Sequence, residues 1–84
     1  MSRKLLKSKA KSLEPILRIG KNGLSESMVK EINSILRQRK LIKIKLLKGA
    51  VEGKDKKELA GEIAEKTGSE IIEAVGSVVV VYKG

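Results

Sequence analysis

Between Met28 and Leu46 the hydrophobic period of the chain changes once, and that change restricts what the chain can fold into. Met28, Val29, Ile32, Ile35 and Leu36 recur at the three-to-four spacing of one helical face. The stretch Leu41-Ile42-Lys43-Ile44-Lys45-Leu46 then alternates, sending Ile42, Ile44 and Leu46 to one side of a strand and Lys43 and Lys45 to the other. A striped helix and a one-faced strand bury their apolar sides by packing on each other, which makes helix-on-sheet the expected architecture. A chain of 84 residues buries roughly 60 to 65% of its unfolded surface, so nearly every large apolar residue is needed for one core. Residues 1–84 are therefore expected to form a single domain.

The remaining elements fall around that pair. Leu6, Ala10 and Leu13 recur at helical spacing with Leu5 broadening the stripe, while Lys4, Lys7 and Lys11 take the other face; Pro15 ends this first helix. Residues 15–19, PILRI, read as a short strand with Leu17 and Ile19 on one side and Arg18 on the other. Ser25 is the expected N-cap of the central helix, which runs to Arg37-Gln38-Arg39-Lys40. After a loop, Asp55 and Glu58 resemble a capping box opening a third helix lined by Leu59, Ala60, Ile63 and Ala64 and closing at Gly68. Two last strands, EIIEAV and VVVVYK, flank Gly76-Ser77, a pair suited to a type II′ hairpin turn. Val78 to Val81 are apolar on both faces, which places the last strand inside the sheet. The reading is an α+β fold in the order α-β-α-β-α-β-β with a four-stranded mixed sheet. Both crossover helices are expected on one face, giving two layers, with the lysine side of the sheet at least partly wet.

Charge narrows the partner. There are 19 basic and 10 acidic residues, a net charge of +9. Residues 1–48 carry 14 basic and 3 acidic groups, whereas residues 49–84 carry 5 and 7. A polyanion such as RNA meets such an asymmetry; a merely solvated, lysine-rich face is the alternative. Without histidine or cysteine, the chain has no disulfides, no thiolate or imidazole chemistry and no Cys/His zinc site. Glu58, Glu62 and Glu65 alternate with lysines in the pattern of an exposed helix face, and no metal or catalytic set is expected. The first residues lack the apolar stretch of a signal peptide, and the apolar run Val78 to Tyr82 is too short for a bilayer. A cytoplasmic, monomeric protein with no membrane partner is the expectation.

Gly20-Lys21-Asn22-Gly23 is the segment closest to a functional motif. Its plain reading is a strand-to-helix turn. Its other reading is a nucleic-acid clamp, in which bare backbone N–H groups and a helix N-terminus meet a sugar-phosphate chain, as in the GXXG loop of KH domains. No nucleotide-cofactor motif competes, because neither glycine loop has the Walker spacing and no GxGxxG is present. No cofactor is expected.

Around that loop Arg18, Lys43 and Lys45, with Arg37, Arg39 and Lys40 upstream, could continue a phosphate-contacting track. Strand lysines discourage edge aggregation equally well, and for Lys7 and Lys11, on one face of the first helix with Lys4, an ordinary solvated face is the leading reading over a contact surface. Tyr82 is the sole aromatic residue, so a platform stacking several bases cannot be built. RNA would have to be held by backbone shape and charge.

The quoted residues resemble a known family. Leu13-x-Pro15-Ile16, then Ile19-Gly20-Lys21-Asn22-Gly23-Leu24-Ser25, Glu31-Ile32, Leu41-Ile42-Lys43-Ile44-Lys45, Thr67-Gly68 and the run from Gly76 to Tyr82-Lys83 are similar to the YhbY-type CRM domain, named for chloroplast RNA splicing and ribosome maturation. The resemblance implies a non-enzymatic RNA-binding domain with a fold similar to the C-terminal domain of translation initiation factor three. It also implies association with ribosomal RNA in precursors of the large subunit, with RNA contact at Gly20, Lys21, Asn22 and Gly23. Tyr82-Lys83 replaces the Tyr-Arg ending of many relatives, which keeps the charge but loses bidentate phosphate geometry. A module that docks on ribosomal proteins, using its charge only for encounter, is the rival expectation.

Overall fold

A computed structural model of the chain describes residues 2–20, 23–47 and 56–84. Three helices and four strands follow the expected order: α1 (Arg3–Lys11), β1 (Leu17–Ile19), α2 (Glu26–Arg39), β2 (Leu41–Leu46), α3 (Lys56–Thr67), β3 (Glu70–Val75) and β4 (Val78–Tyr82). The sheet order is β1-β2-β4-β3. β1 and β2 are parallel, and β4 runs antiparallel to both neighbours. The valine strand thus lies between β2 and β3, as its two apolar faces require.

Both crossovers step across the sheet in the same direction, so right-handed connections put α2 and α3 on one face. Ile32 and Leu36 of α2 and Leu59, Ala60 and Ile63 of α3 meet Ile19, Ile42, Ile44, Leu46, Val79 and Val81 there in the principal core. Burying an aliphatic side chain of this size contributes about 1.5–3 kcal/mol.

α1 packs on the opposite face and adds a partial third layer to the two expected. Its Leu6 and Ala10 bury against Ile72 and Val80, with Leu41, Val78 and Tyr82 alongside. Ser2 caps it, accepting from the Leu5 N–H through Oγ. The helix ends at Lys11, one turn before Pro15, and Ser12 Oγ donates to the Lys9 carbonyl. Leu5 does not join the stripe: it is 57% exposed, because a single helix lying on a sheet buries only a narrow face. The lysine side of the sheet is therefore covered over β2, β4 and β3 and open at the β1 edge.

Two features of the hairpin position its residues. Val75 and Val78 pair across Gly76-Ser77, and of these two turn residues only Gly76 has positive φ, +59°, as a type II′ turn requires. A bulge between Ile71 and Glu73 leaves Ile72 as the extra residue, buried under α1, and shifts the alternation so that Ile71 and Ala74, three residues apart, both face the principal core. Simple alternation does not anticipate that break. The Asp55 cap and the loop before it lie outside the described residues.

Candidate nucleic-acid interface

The glycine loop leaves β1 where β2 also ends, since the Leu47 N–H donates to the Ile19 carbonyl at 2.8 Å and prolongs the parallel ladder. The Gly23 N–H donates to the Gly20 carbonyl at 2.9 Å, holding the two glycines at hydrogen-bonding distance. Gly23 has φ +67°, which disfavours any L side chain, and a Cβ placed there would meet none of the described residues within 4 Å. A Cβ on Gly20 would make only an ordinary 3.6 Å contact with Leu47 Cδ1. Among the described residues the space over Gly23 is open and Gly20 has room for one methyl group, so their packing does not demand a glycine at position 20. Lys21 and Asn22 lie outside the described residues.

α2 begins directly after this loop. Ser25 Oγ accepts from the Met28 N–H at 3.2 Å, and the Ser25 carbonyl accepts from the Val29 N–H at 2.9 Å. The N–H groups of Glu26 and Ser27 have no carbonyl within the helix to reach, and the helix dipole adds positive potential there. Glu26, in the first turn, offsets part of that potential with the chain's own carboxylate.

The basic residues singled out from the sequence separate into distinct groups. Arg18 and Lys45 stand opposite one another in the parallel β1–β2 register, both exposed, on the open part of the α1 side and next to the loop. Like charges facing each other across a ladder repel. An anion lying over the pair would relieve that repulsion.

Lys43, two residues before Lys45 on the same face, is half-buried, and its ammonium donates to the Leu13 carbonyl at 3.1 Å. It holds down the chain leaving α1 instead of continuing an open track. Lys7 and Lys11 are exposed on α1, and Lys11 lines a groove together with Glu73. Arg37 is exposed on the last turn of α2, while Arg39 and Lys40 face a cleft beside α1. Those two lie at the start of β2 and the glycine loop at its end, about 20 Å apart by the strand rise over six residues.

Among the described residues there is no group of three or more His, Cys, Asp or Glu that could hold a metal ion, and no helix long and apolar enough to cross a membrane. What the described surface beside the loop offers is open backbone and paired cations. The sequence profile of the CRS1 / YhbY (CRM) domain matches residues 1–83. The chain belongs to the CRM family.

Relatives of this CRM domain agree. It is 35% identical over 81 residues to "Probable RNA-binding protein YqeI" of Bacillus subtilis, covering 96% of this chain and 82% of the relative. It is 37% identical over 81 residues to a "Probable RNA-binding protein" of Methanocaldococcus jannaschii, again over 96% of this chain but only 60% of that longer relative. The solution structure of a hypothetical Staphylococcus aureus protein, regarded as RNA-binding, superposes with a TM-score of 0.81 at 40% identity, covering 98% of this chain and 83% of that one. The expected three-helix, four-stranded topology is thus an observed one, and the CRM domain is an RNA-binding, non-catalytic module.

Lys9 is the functional candidate that periodicity missed. It sits three residues after Leu6 and four before Leu13, so it borders the apolar stripe, and that flank turns toward Arg39 and Lys40. Its place in the repeat was the available signal.

Proposed function

We propose that this CRM domain grips ribosomal RNA in precursors of the large ribosomal subunit, in the cytoplasm, through the Gly20–Gly23 loop and the cations beside it. The observation that carries the reading is the Arg18–Lys45 pair at the mouth of the loop, two exposed like charges side by side with open backbone next to them. Adjacent phosphates, one on each cation, neutralise the pair, and a strand of RNA continuing from them passes over Gly23, where no described side chain obstructs it. Lys21 and Asn22 would add an ammonium and an amide to the same contact. With one aromatic residue in the chain, the grip reads backbone shape more than base identity. The ribosomal half of the reading rests on the resemblance carried by Ile19–Ser25 and Leu41–Lys45.

Gradient fractionation of cells expressing the tagged chain tests it. The protein is expected to travel with large-subunit precursors and to crosslink to their RNA, and Arg18→Glu with Lys45→Glu is expected to move it to the top of the gradient. Co-migration that survives the double reversal would instead support docking on a ribosomal protein.

A further inference from the structure

At the end of the sheet remote from the glycine loop, α1 and the α2–β2 junction enclose an open cleft of about 510 Å³. Among the described residues three cations line it, Lys9, Arg39 and Lys40, and no acidic residue does. Its remaining walls are Leu6, Leu13, Leu41 and the ring of Tyr82. We propose that this cleft holds one unstacked nucleobase of the bound RNA against Tyr82, with the three cations on the flanking phosphates. The inference rests on the RNA-binding reading and extends it to a second contact about 20 Å from the first, the length of β2.

Size, composition and backbone conformation support this occupant. The volume lies within the roughly 300–1,000 Å³ typical of small-ligand sites, enough for a single nucleotide and too little for a row of stacked bases. Apolar walls beside an aromatic ring suit the flat face of a base, while a rim whose described charges are all cationic suits the phosphates on either side of it. A peptide or lipid chain would use the leucines but leave most of the positive charge unmatched.

Tyr82 is held firmly. It pairs with Leu41 in the β2–β4 ladder, the next residue donates its N–H to the Lys40 carbonyl at 2.8 Å, and Gly84 packs so closely on the phenol end that an added Cβ would lie 2.6 Å from Oη. Lys40 has φ +63° and ψ −36°, a region that favours glycine. A lysine kept in an unfavourable backbone conformation at the rim of a cationic cleft is the pattern expected where charge serves binding.

The test uses the intact chain and a single-stranded RNA of mixed sequence carrying 5-iodouridine. Irradiation is expected to attach the RNA to the peptide containing Tyr82. Tyr82→Leu is expected to weaken binding about ten-fold, the range of one lost base–aromatic stack, without changing the salt dependence. Lys9→Gln with Arg39→Gln is expected to lower the logarithmic salt slope by about 1.4. Adducts confined to residues near Arg18 and Lys45, with affinity unchanged by Tyr82→Leu, would overturn the cleft proposal while leaving RNA binding intact. RNA affinity absent in the unmodified chain would overturn the RNA reading itself. The crosslinking readout remains decisive if Tyr82→Leu fails to fold.

Discussion

The Lys83 ammonium donates to the Thr67 carbonyl at 3.0 Å, so the last charged residue of the chain caps the C-terminus of α3. A cation at that end satisfies an orphan carbonyl and meets the negative end of the helix dipole. Thr67 is itself buried, with Oγ1 donating to the Ile63 carbonyl and accepting from Ser69 Oγ. Lys83→Met is therefore expected to cost about 0.5–1 kcal/mol, lowering Tm by a few degrees, and to leave RNA affinity and its salt dependence unchanged. Thermal unfolding and filter binding on one preparation check both halves.

Lys43 and Lys45 share a face and a sequence pattern, yet Lys43 is tied to the Leu13 carbonyl while Lys45 is exposed. Lys43→Met keeps the aliphatic stem but removes the bond to the Leu13 carbonyl, and is expected to cost about 1 kcal/mol with little change in salt slope. Lys45→Gln is expected to leave Tm within a degree or two and reduce the slope by about 0.7. A reversed pattern in urea unfolding and binding titrations would mean that the two roles have been exchanged.

At Gly20 the structure separates fold from function. A Cβ there makes an ordinary contact with Leu47, and φ is not positive. Gly20→Ala should leave stability unchanged or raise it by about 0.4–1 kcal/mol through the unfolded state, while the added methyl weakens RNA binding severalfold. Affinity equal to that of the unmodified chain would return the segment to a simple turn.

Lys40 makes the same separation at the other end of β2. Lys40→Gly relieves a positive-φ position but adds unfolded-state freedom, so Tm is expected to hold or rise by a few degrees. RNA affinity is expected to fall, with the salt slope lower by about 0.7.

The parts of the fold that were legible in the sequence are those written in local period. The alternation from Leu41 to Leu46 fixed which residues of β2 enter the core, and the stripe ending at Leu36 did the same for α2. The position of α1 was not legible, because its partners Ile72 and Val80 are more than sixty residues away from Leu6 and Ala10. Periodicity shows that a stripe exists but not how wide a surface will receive it, which is why Leu5 is exposed and Lys9 borders the cleft. The bulge in β3 and the tie of Lys43 to Leu13 are tertiary outcomes with no local signature. Within the candidate site, charge asymmetry pointed to residues 1–48, the half that carries Arg18, Lys45, Lys9, Arg39 and Lys40. Only strand register revealed that Arg18 and Lys45 adjoin, and only the cleft brought Lys9, Arg39, Lys40 and Tyr82 together.

The most direct measurement is RNA affinity as a function of salt for the unmodified chain and for Arg18→Gln with Lys45→Gln. With each phosphate contributing about 0.7 to the logarithmic slope, contacts at the loop and the cleft together should give a slope of at least about 2, and the double variant should lose about 1.4 of it. A slope near zero, or one that the double variant leaves intact, would contradict the account.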